Sequence, residues 1–146
     1  MVKLNRHTAR EKAVQSLYQL INRTDEFESE SAIAFALEAG NDPDSGIEGE
    51  IDPYLLQIVK GVNQNRIAID KMIQDYLTKG WTLERIASID LTILRLAFYE
   101  VAFMDENVVP AKVAVNEAIE LSKTFSDDKS RKFISGVLAK LLENQS

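Results

Sequence analysis

Basic side chains stand close together near the amino-terminal end of this sequence, at a spacing that suits a polyanionic ligand. The four that precede the first acidic residue are Lys3, Arg6, His7 and Arg10. Arg6 and Arg10 are four residues apart, so they share one face of a helix that begins early. Because Lys and Arg are the usual phosphate ligands, this cluster indicates a nucleic-acid contact. The alternative interpretation is an ordinary solvated basic face.

A second basic stripe is predicted near the carboxyl-terminal end, on a helix over about 129–142. At ~100° per residue, four positions of this helix fall within about 80° of each other: Lys129, Lys132, Gly136 and Lys140. They lie opposite the apolar Ile134 and Leu138. The glycine leaves the helix backbone bare, which favours the approach of a ligand or of another helix. Here too a solvated lysine face is the alternative.

This chemistry suits single-stranded RNA. Phosphates bind Lys and Arg, whereas unstacked bases need aromatic rings or guanidinium planes. Tyr18 and Phe133 are the aromatic residues nearest the two basic clusters in the sequence. Their helical positions also suit the hydrophobic core, so both roles stay open.

Three carboxylates form the other group that chemistry could use: Asp90, Glu100 and Glu117. Glu100 and Glu117 fall on the apolar faces of their predicted helices. A carboxylate in such a place is either paired with a cation or kept neutral. We favour a buried structural pair with Arg95 as the cation, and general acid–base catalysis or metal binding is the alternative.

Composition narrows the function classes further. The 146 residues contain no cysteine and one histidine, which excludes a disulfide framework and a thiolate metal site. We find no phosphate loop, glycine-rich fingerprint or serine elbow, and no motif that predicts a cofactor. A cytoplasmic protein fits the lack of cysteine. No apolar run reaches the ~18 residues of a membrane span, and none follows the basic start as in a signal peptide.

Charge is unevenly distributed along the chain. The 17 Lys and Arg face 23 Asp and Glu, for a formal net charge of −6. Ten of these acids, and no Lys or Arg, lie in residues 24–52, so the other 13 acids face all 17 basic residues. The protein is therefore a mildly basic body with one acidic segment of unassigned role, and its net charge does not exclude a nucleic-acid partner.

Apolar residues recur with a helical period almost throughout, and no stretch alternates with period two. We predict a single all-α domain over 1–146 with about seven helices and a mobile acidic loop over 40–49. A helix apolar on every side, over 89–103, is expected at the centre. The other predicted helices cover about 8–22, 29–39, 52–62, 66–77, 110–123 and 129–142, with a short helical turn from Trp81.

Several residues mark the ends of these helices. Asp52 at the N-cap and Pro53 at the first position favour a helix start. Ser88 or Asp90 is expected to cap the central helix. Gly80 is expected to end the helix that begins near residue 66.

Five segments of the sequence resemble the NusB family of bacterial transcription antitermination factors. The most specific are VPAKVAVNEAIELSKTF at 109–125 and SRKFISGVL at 130–138. The others are AREKAVQSLYQ at 9–19, YLLQIVKGV at 54–62 and the ID-ILRLA-YE pattern at 89–100. The resemblance covers most of the chain in the family's order and is weak only across the acidic segment.

This resemblance implies an all-α fold of two packed helical bundles without enzymatic activity. It further implies binding of the boxA element in leader transcripts of ribosomal RNA operons. The RNA would be bound together with a small-subunit ribosomal protein, called NusE in this role, within an antitermination complex on RNA polymerase. Members occur as monomers and as homodimers, and the sequence does not distinguish these states.

The resemblance also suggests roles for particular residues. Arg6 and Arg10 match the family's arginine-rich start, although His7 stands where relatives often have a further arginine. Phe133 and the turn before the last helix match the other part of the family's RNA surface. Asp90 matches an acidic position at the NusE interface, where it is expected to be exposed. Its alternative role is that of a favourable charge at a helix amino terminus.

Overall fold

The computed structural model of the chain describes residues 4–21, Ile33 and 52–145. Within these residues every regular element is helical and none is a strand, as the periodicity predicts. Ile33 is helical and fully buried, and the rest of the predicted helix 29–39 and the predicted loop 40–49 lie outside the described residues. The described helices are α1 (Arg6–Gln19), α2 (Pro53–Gln64), α3 (Arg66–Asp75), the 3-10 helix η1 (Leu83–Arg85), α4 (Ser88–Phe103), α5 (Ala111–Phe125) and α6 (Asp128–Glu143).

The chain divides into two helical units, residues 1–64 and residues 65–146. In the first unit, α1 packs against α2. In the second, α4 packs against α3, α5 and α6. Among the helices described, none is both long enough and apolar enough to cross a membrane.

Two side-chain caps hold the first unit's helices in place. Asn5 accepts a hydrogen bond from the Thr8 backbone N–H at 2.7 Å, so α1 begins at Arg6, two residues before the predicted start. The predicted cap of α2 is confirmed, because Asp52 accepts from the backbone N–H of Leu55 at 3.1 Å. Its second oxygen accepts from the Leu4 N–H at 3.0 Å and thereby ties the segment before α1 to the start of α2.

The second unit is built around α4, whose residues 90–100 are all buried. This confirms the predicted central helix. Its predicted cap is wrong, because Ala87 occupies the N-cap and no side chain caps the helix. Asp90 is only 4% exposed. Its carboxylate instead accepts a 2.6 Å hydrogen bond from the hydroxyl of Ser126, the residue that follows α5.

A largely buried ion pair joins α3 to α4 in the second unit. The Arg95 guanidinium donates from Nε to one oxygen of Asp70 at 2.7 Å and from Nη2 to the other at 2.9 Å. The sequence analysis expected Glu100 or Glu117 as the partner of Arg95, and Asp70 takes that place. Burial and, next, the nearby Arg95 guanidinium lower the pKa of Arg66 at the start of α3.

The remaining helix ends of the second unit lie within two residues of the predicted ones. α3 ends at Asp75, and Gly80 lies in the following turn with a positive φ of 87°. At α5, the Glu106 carboxylate accepts from the Ala111 N–H at 3.1 Å. At α6, Asp127 accepts from the Ser130 N–H at 2.8 Å, which fixes the start of the helix that carries the basic stripe.

Candidate nucleic-acid interface

Arg6 is an exposed cation that stands against an aromatic ring in the first unit. Its guanidinium carbon lies 3.9 Å from the centroid of the Tyr54 ring, which α2 supplies. Stacking uses the face of the guanidinium and leaves the N–H groups in its plane available to a phosphate. Tyr54 therefore orients Arg6, a role that the sequence analysis did not assign to it.

Arg10 is buried, and the expectation that it lies on the surface beside Arg6 is wrong. Only 3% of the residue is exposed, and its guanidinium carbon lies 5.7 Å from the Tyr54 centroid. The helical period does place both arginines toward Tyr54 on α2, but it does not indicate that the second one is buried. A guanidinium that is closed off from solvent positions its neighbours and does not present its charge to a phosphate.

The other residues of the amino-terminal cluster are His7 and Lys3. His7 is half exposed, and its Nε2 lies 3.7 Å from a Glu11 oxygen one helical turn away. This contact is an ion pair only when the imidazole is protonated. Lys3 lies outside the described residues, so its predicted role stays a prediction.

The predicted stripe on α6 is confirmed as a continuous exposed face. Lys129, Lys132, Gly136 and Lys140 are all exposed, whereas Ile134 and Leu138 on the opposite side are fully buried. None of the three lysines forms an ion pair with another described residue. Their charges are therefore available to an anionic ligand.

Phe133 stands at the edge of this stripe and contacts a second aromatic ring. The centroids of Phe133 and Trp81 are 6.3 Å apart, with the rings tilted by 47°. The Arg85 guanidinium carbon lies 4.4 Å from the Trp81 centroid. Sequence analysis did not identify Trp81 or Arg85, although an aromatic residue and an arginine four positions apart at a helical turn are a recognisable signal.

A cavity of about 330 Å³ opens beside these rings, within the range of small-ligand sites. Trp81, Phe133 and Ile86 supply apolar surface, and Arg85 and Lys129 supply positive charge. Asp90 also lines the cavity. Its 4% exposure contradicts the expected exposure of Asp90, whereas its expected role at a protein interface stays a prediction.

Two further cavities continue along α6 from Phe133. One of about 210 Å³ is lined by Phe133, Lys132, Gly136 and Lys140 on α6 and by residues 76–78 across from them. The next, of about 480 Å³, shares Lys140, Tyr76 and Leu77 with it and adds the acidic Asp75 and Glu143. We call the series of three cavities between α6 and residues 75–87 the α6 groove.

The three carboxylates that the sequence analysis singled out differ in burial, and Asp90 and Glu100 are both buried. Glu100 is 1% exposed in the core of the second unit, and Glu117 is half-buried on α5. Among the described residues, no group of three or more His, Asp or Glu side chains is placed to hold a metal ion. Cations beside aromatic rings are instead the arrangement that binds phosphates and unstacked bases.

Comparisons with known proteins agree with one another. The model of the NusB family matches residues 7–143. A transcription antitermination protein NusB from Lactiplantibacillus plantarum is 47% identical over 143 residues, which cover 98% of each chain. A solved structure of T. maritima NusB superimposes with a TM-score of 0.76 at 29% identity and covers 97% of this chain and 93% of its own.

A second solved structure supports the fold alone, because its identity is 22%. It is described as the antitermination factors NusB and NusE in complex with dsRNA. Its TM-score is 0.76, and the match covers 95% of this chain and 96% of that one.

Proposed function

The chain belongs to the NusB family, and we propose that it is an RNA-binding transcription antitermination factor that acts with NusE. Its RNA is the boxA element of ribosomal RNA leader transcripts, and its assembly is the antitermination complex on RNA polymerase. It works in the cytoplasm, as a monomer or as a homodimer. It catalyses no reaction and needs no cofactor.

The observation that carries this proposal is the exposed lysine face of α6 beside the Phe133 and Trp81 rings. Lys129 and Lys132 bind phosphates, because both are exposed and without an ion pair in the described part of the chain. Phe133 stacks on an unstacked base, as aromatic side chains do in the sequence-specific recognition of single-stranded RNA. A protein-interaction domain with merely solvated lysines would not need aromatic rings beside them.

The residues of the amino-terminal cluster contribute unequally to RNA binding. Arg6 binds a phosphate directly, with Tyr54 holding its guanidinium. His7 and Lys3 add charge, and His7 does so only when it is protonated. Arg10 acts through position, since its burial keeps α1 and the Tyr54 ring in place.

The expected role of Asp90 at the NusE interface stays a prediction. The Asp90 carboxylate is enclosed by the start of α4 and the end of α5, where it accepts the Ser126 hydroxyl. A substitution at Asp90 would therefore act on this junction of two helices before it acted on any partner.

The experiment that tests the proposal is a titration of boxA RNA with and without NusE. We expect the affinity for RNA to fall steeply as salt rises and to increase when NusE is present. Lys132→Glu should weaken RNA binding, and Lys112→Glu is the matched control, since Lys112 is an exposed lysine on α5 outside the groove. If boxA RNA binds no better than an unrelated sequence, or if both variants lose affinity equally, the proposal is wrong.

A further inference from the structure

We infer that a single RNA strand runs along the α6 groove and crosses the helix at Gly136, where its sugar–phosphate backbone lies against the bare helix backbone. The inference rests on the proposed RNA-binding function and extends the contact from Phe133 to Lys140.

No contact within the described part of the chain explains why residue 136 is a glycine. A β-carbon built on it meets no atom within 4 Å, so packing does not require a glycine. Its φ lies outside the positive range that favours glycine, since Gly80 is the glycine with that conformation among the described residues. Glycine in the middle of a helix is destabilising relative to alanine. A bare backbone at an exposed site is therefore explained by something that approaches from outside.

The groove around Gly136 carries the charge that an RNA backbone needs. Gly136 lies on the helical wheel between Lys132 and Lys140, about 40° from each, and Lys129 lies on the same face. All three lysines are exposed. From Lys129 to Lys140 the helix rises about 16 Å, so the positive face follows the strand over several nucleotides and not at one point.

The ends of the groove fix where the strand enters and leaves. At one end, the cavity beside Trp81 and Phe133 offers ring surface to an unstacked base. At the other end, Asp75 and Glu143 line the third cavity and repel phosphate. The strand therefore leaves the groove near Lys140.

A single strand fits this groove better than a duplex or a peptide. The bases of a duplex are stacked and cannot turn toward Phe133. A peptide acidic enough to match three lysines is the remaining alternative, and the experiment below distinguishes it from RNA.

The test uses the full-length protein with Gly136→Ala and Gly136→Gln. Both residues form helices better than glycine and meet open space, so the midpoint of thermal unfolding should rise. The affinity for RNA should fall. The Kd for single-stranded boxA RNA should be at least fivefold higher for Gly136→Ala and higher again for Gly136→Gln. Opposite changes in stability and affinity are a result that a purely structural glycine does not give.

Two controls make the result specific. Ala139→Gly changes helix propensity at an exposed neighbour outside the lining of the groove, and should lower the unfolding midpoint while leaving the Kd within twofold. Lys140→Gln should reduce the slope of log K against log salt by about 0.7, the value for one contact with a single strand. Lys112→Gln should leave the slope unchanged.

The outcomes separate this inference from the function beneath it. Wild-type protein that fails to bind boxA RNA would overturn the proposed function. If the wild type binds boxA RNA and both Gly136 variants and Lys140→Gln bind it equally well, only the path through the groove is overturned. Loss of NusE binding with unchanged RNA affinity would show that Gly136 faces a protein, and would also overturn the path.

Discussion

Arg6 and Arg10 are one helical turn apart in α1, yet their surroundings differ. Arg6 is exposed above the Tyr54 ring at 3.9 Å, and Arg10 is 3% exposed behind it. The helical period predicts that the two share a face. It does not predict that one of them is buried, because burial depends on how α1 packs against other elements of the chain.

We predict that the two arginines respond differently to charge reversal. Arg6→Glu should weaken RNA binding and change the free energy of unfolding by less than about 0.5 kcal/mol, as for most surface substitutions. Arg10→Glu should lower the free energy of unfolding by roughly 3 kcal/mol, because it places a negative charge at a buried position whose surroundings accommodate a positive one. Chemical denaturation measures both. Equal and small losses of stability would mean that Arg10 is exposed in solution.

The Arg95–Asp70 pair is the other residue-scale contact that the sequence did not predict. Sequence places Arg95 on the central helix but does not say which of several carboxylates reaches it across the helix packing. Glu100 and Glu117 were the expected partners, and Asp70 on α3 instead accepts hydrogen bonds from two nitrogens of the guanidinium.

We predict that breaking this pair is costly and that removing it whole is not. The side chains of Arg95 and Asp70 are 11% and 21% exposed, so Asp70→Ala should cost about 3 kcal/mol by stranding a buried cation. Arg95→Met combined with Asp70→Ala should recover much of that loss. A double-mutant cycle by denaturant unfolding gives the coupling, and additive single effects would contradict the prediction.

At the scale of the helices, local patterns predicted most of what the structure contains. The central helix α4, the cap at Asp52 and the basic stripe on α6 depend on residues a few positions apart, and all three are confirmed. The Phe133–Trp81 contact joins residues 52 positions apart, and the Asp90–Ser126 hydrogen bond joins residues 36 apart. Such contacts depend on how helices pack, which a periodic pattern does not specify.

The start of α6 should depend on pH through its cap. The backbone N–H of Ser130 donates to Asp127 and lowers the pKa of that exposed carboxyl. A lowered pKa in the folded state means that the cap contributes stability above the ordinary aspartate pKa of about 3.9. The contribution is lost as the pH falls through the lower folded value.

We therefore predict that Asp127→Asn differs from the wild type most at neutral pH. Asparagine keeps a capping oxygen but lacks the charge, so the two unfolding midpoints should converge as the pH drops below about 4. Thermal unfolding of both proteins across a pH series measures this. A difference that stays constant across the pH series would contradict the prediction, and a higher midpoint for Asp127→Asn at neutral pH would mean that the charge of Asp127 opposes folding.

For the whole molecule, the distribution of charge matters more than its sum. The formal net charge is −6, but ten acids are concentrated in residues 24–52 and the rest of the chain is mildly basic. The exposed cations proposed to meet RNA lie in both units: Arg6 in the first, and Lys129, Lys132 and Lys140 on α6 in the second. An acidic isoelectric point is therefore compatible with an anionic partner.

The final prediction concerns how this charge determines the salt dependence of RNA binding. With about three to five phosphates neutralised, the slope of log K against log salt should be about −2 to −3.5, at roughly −0.7 per contact with a single strand. Arg6→Gln and Lys132→Gln should each make the slope shallower by about 0.7, and the double variant by about 1.4, because each phosphate contact contributes separately to the slope. Fluorescence anisotropy over a salt series measures these slopes, with Lys112→Gln as the variant that should match the wild type. If the double variant is no shallower than Lys132→Gln alone, the RNA does not contact Arg6, and the role proposed for Arg6 is wrong.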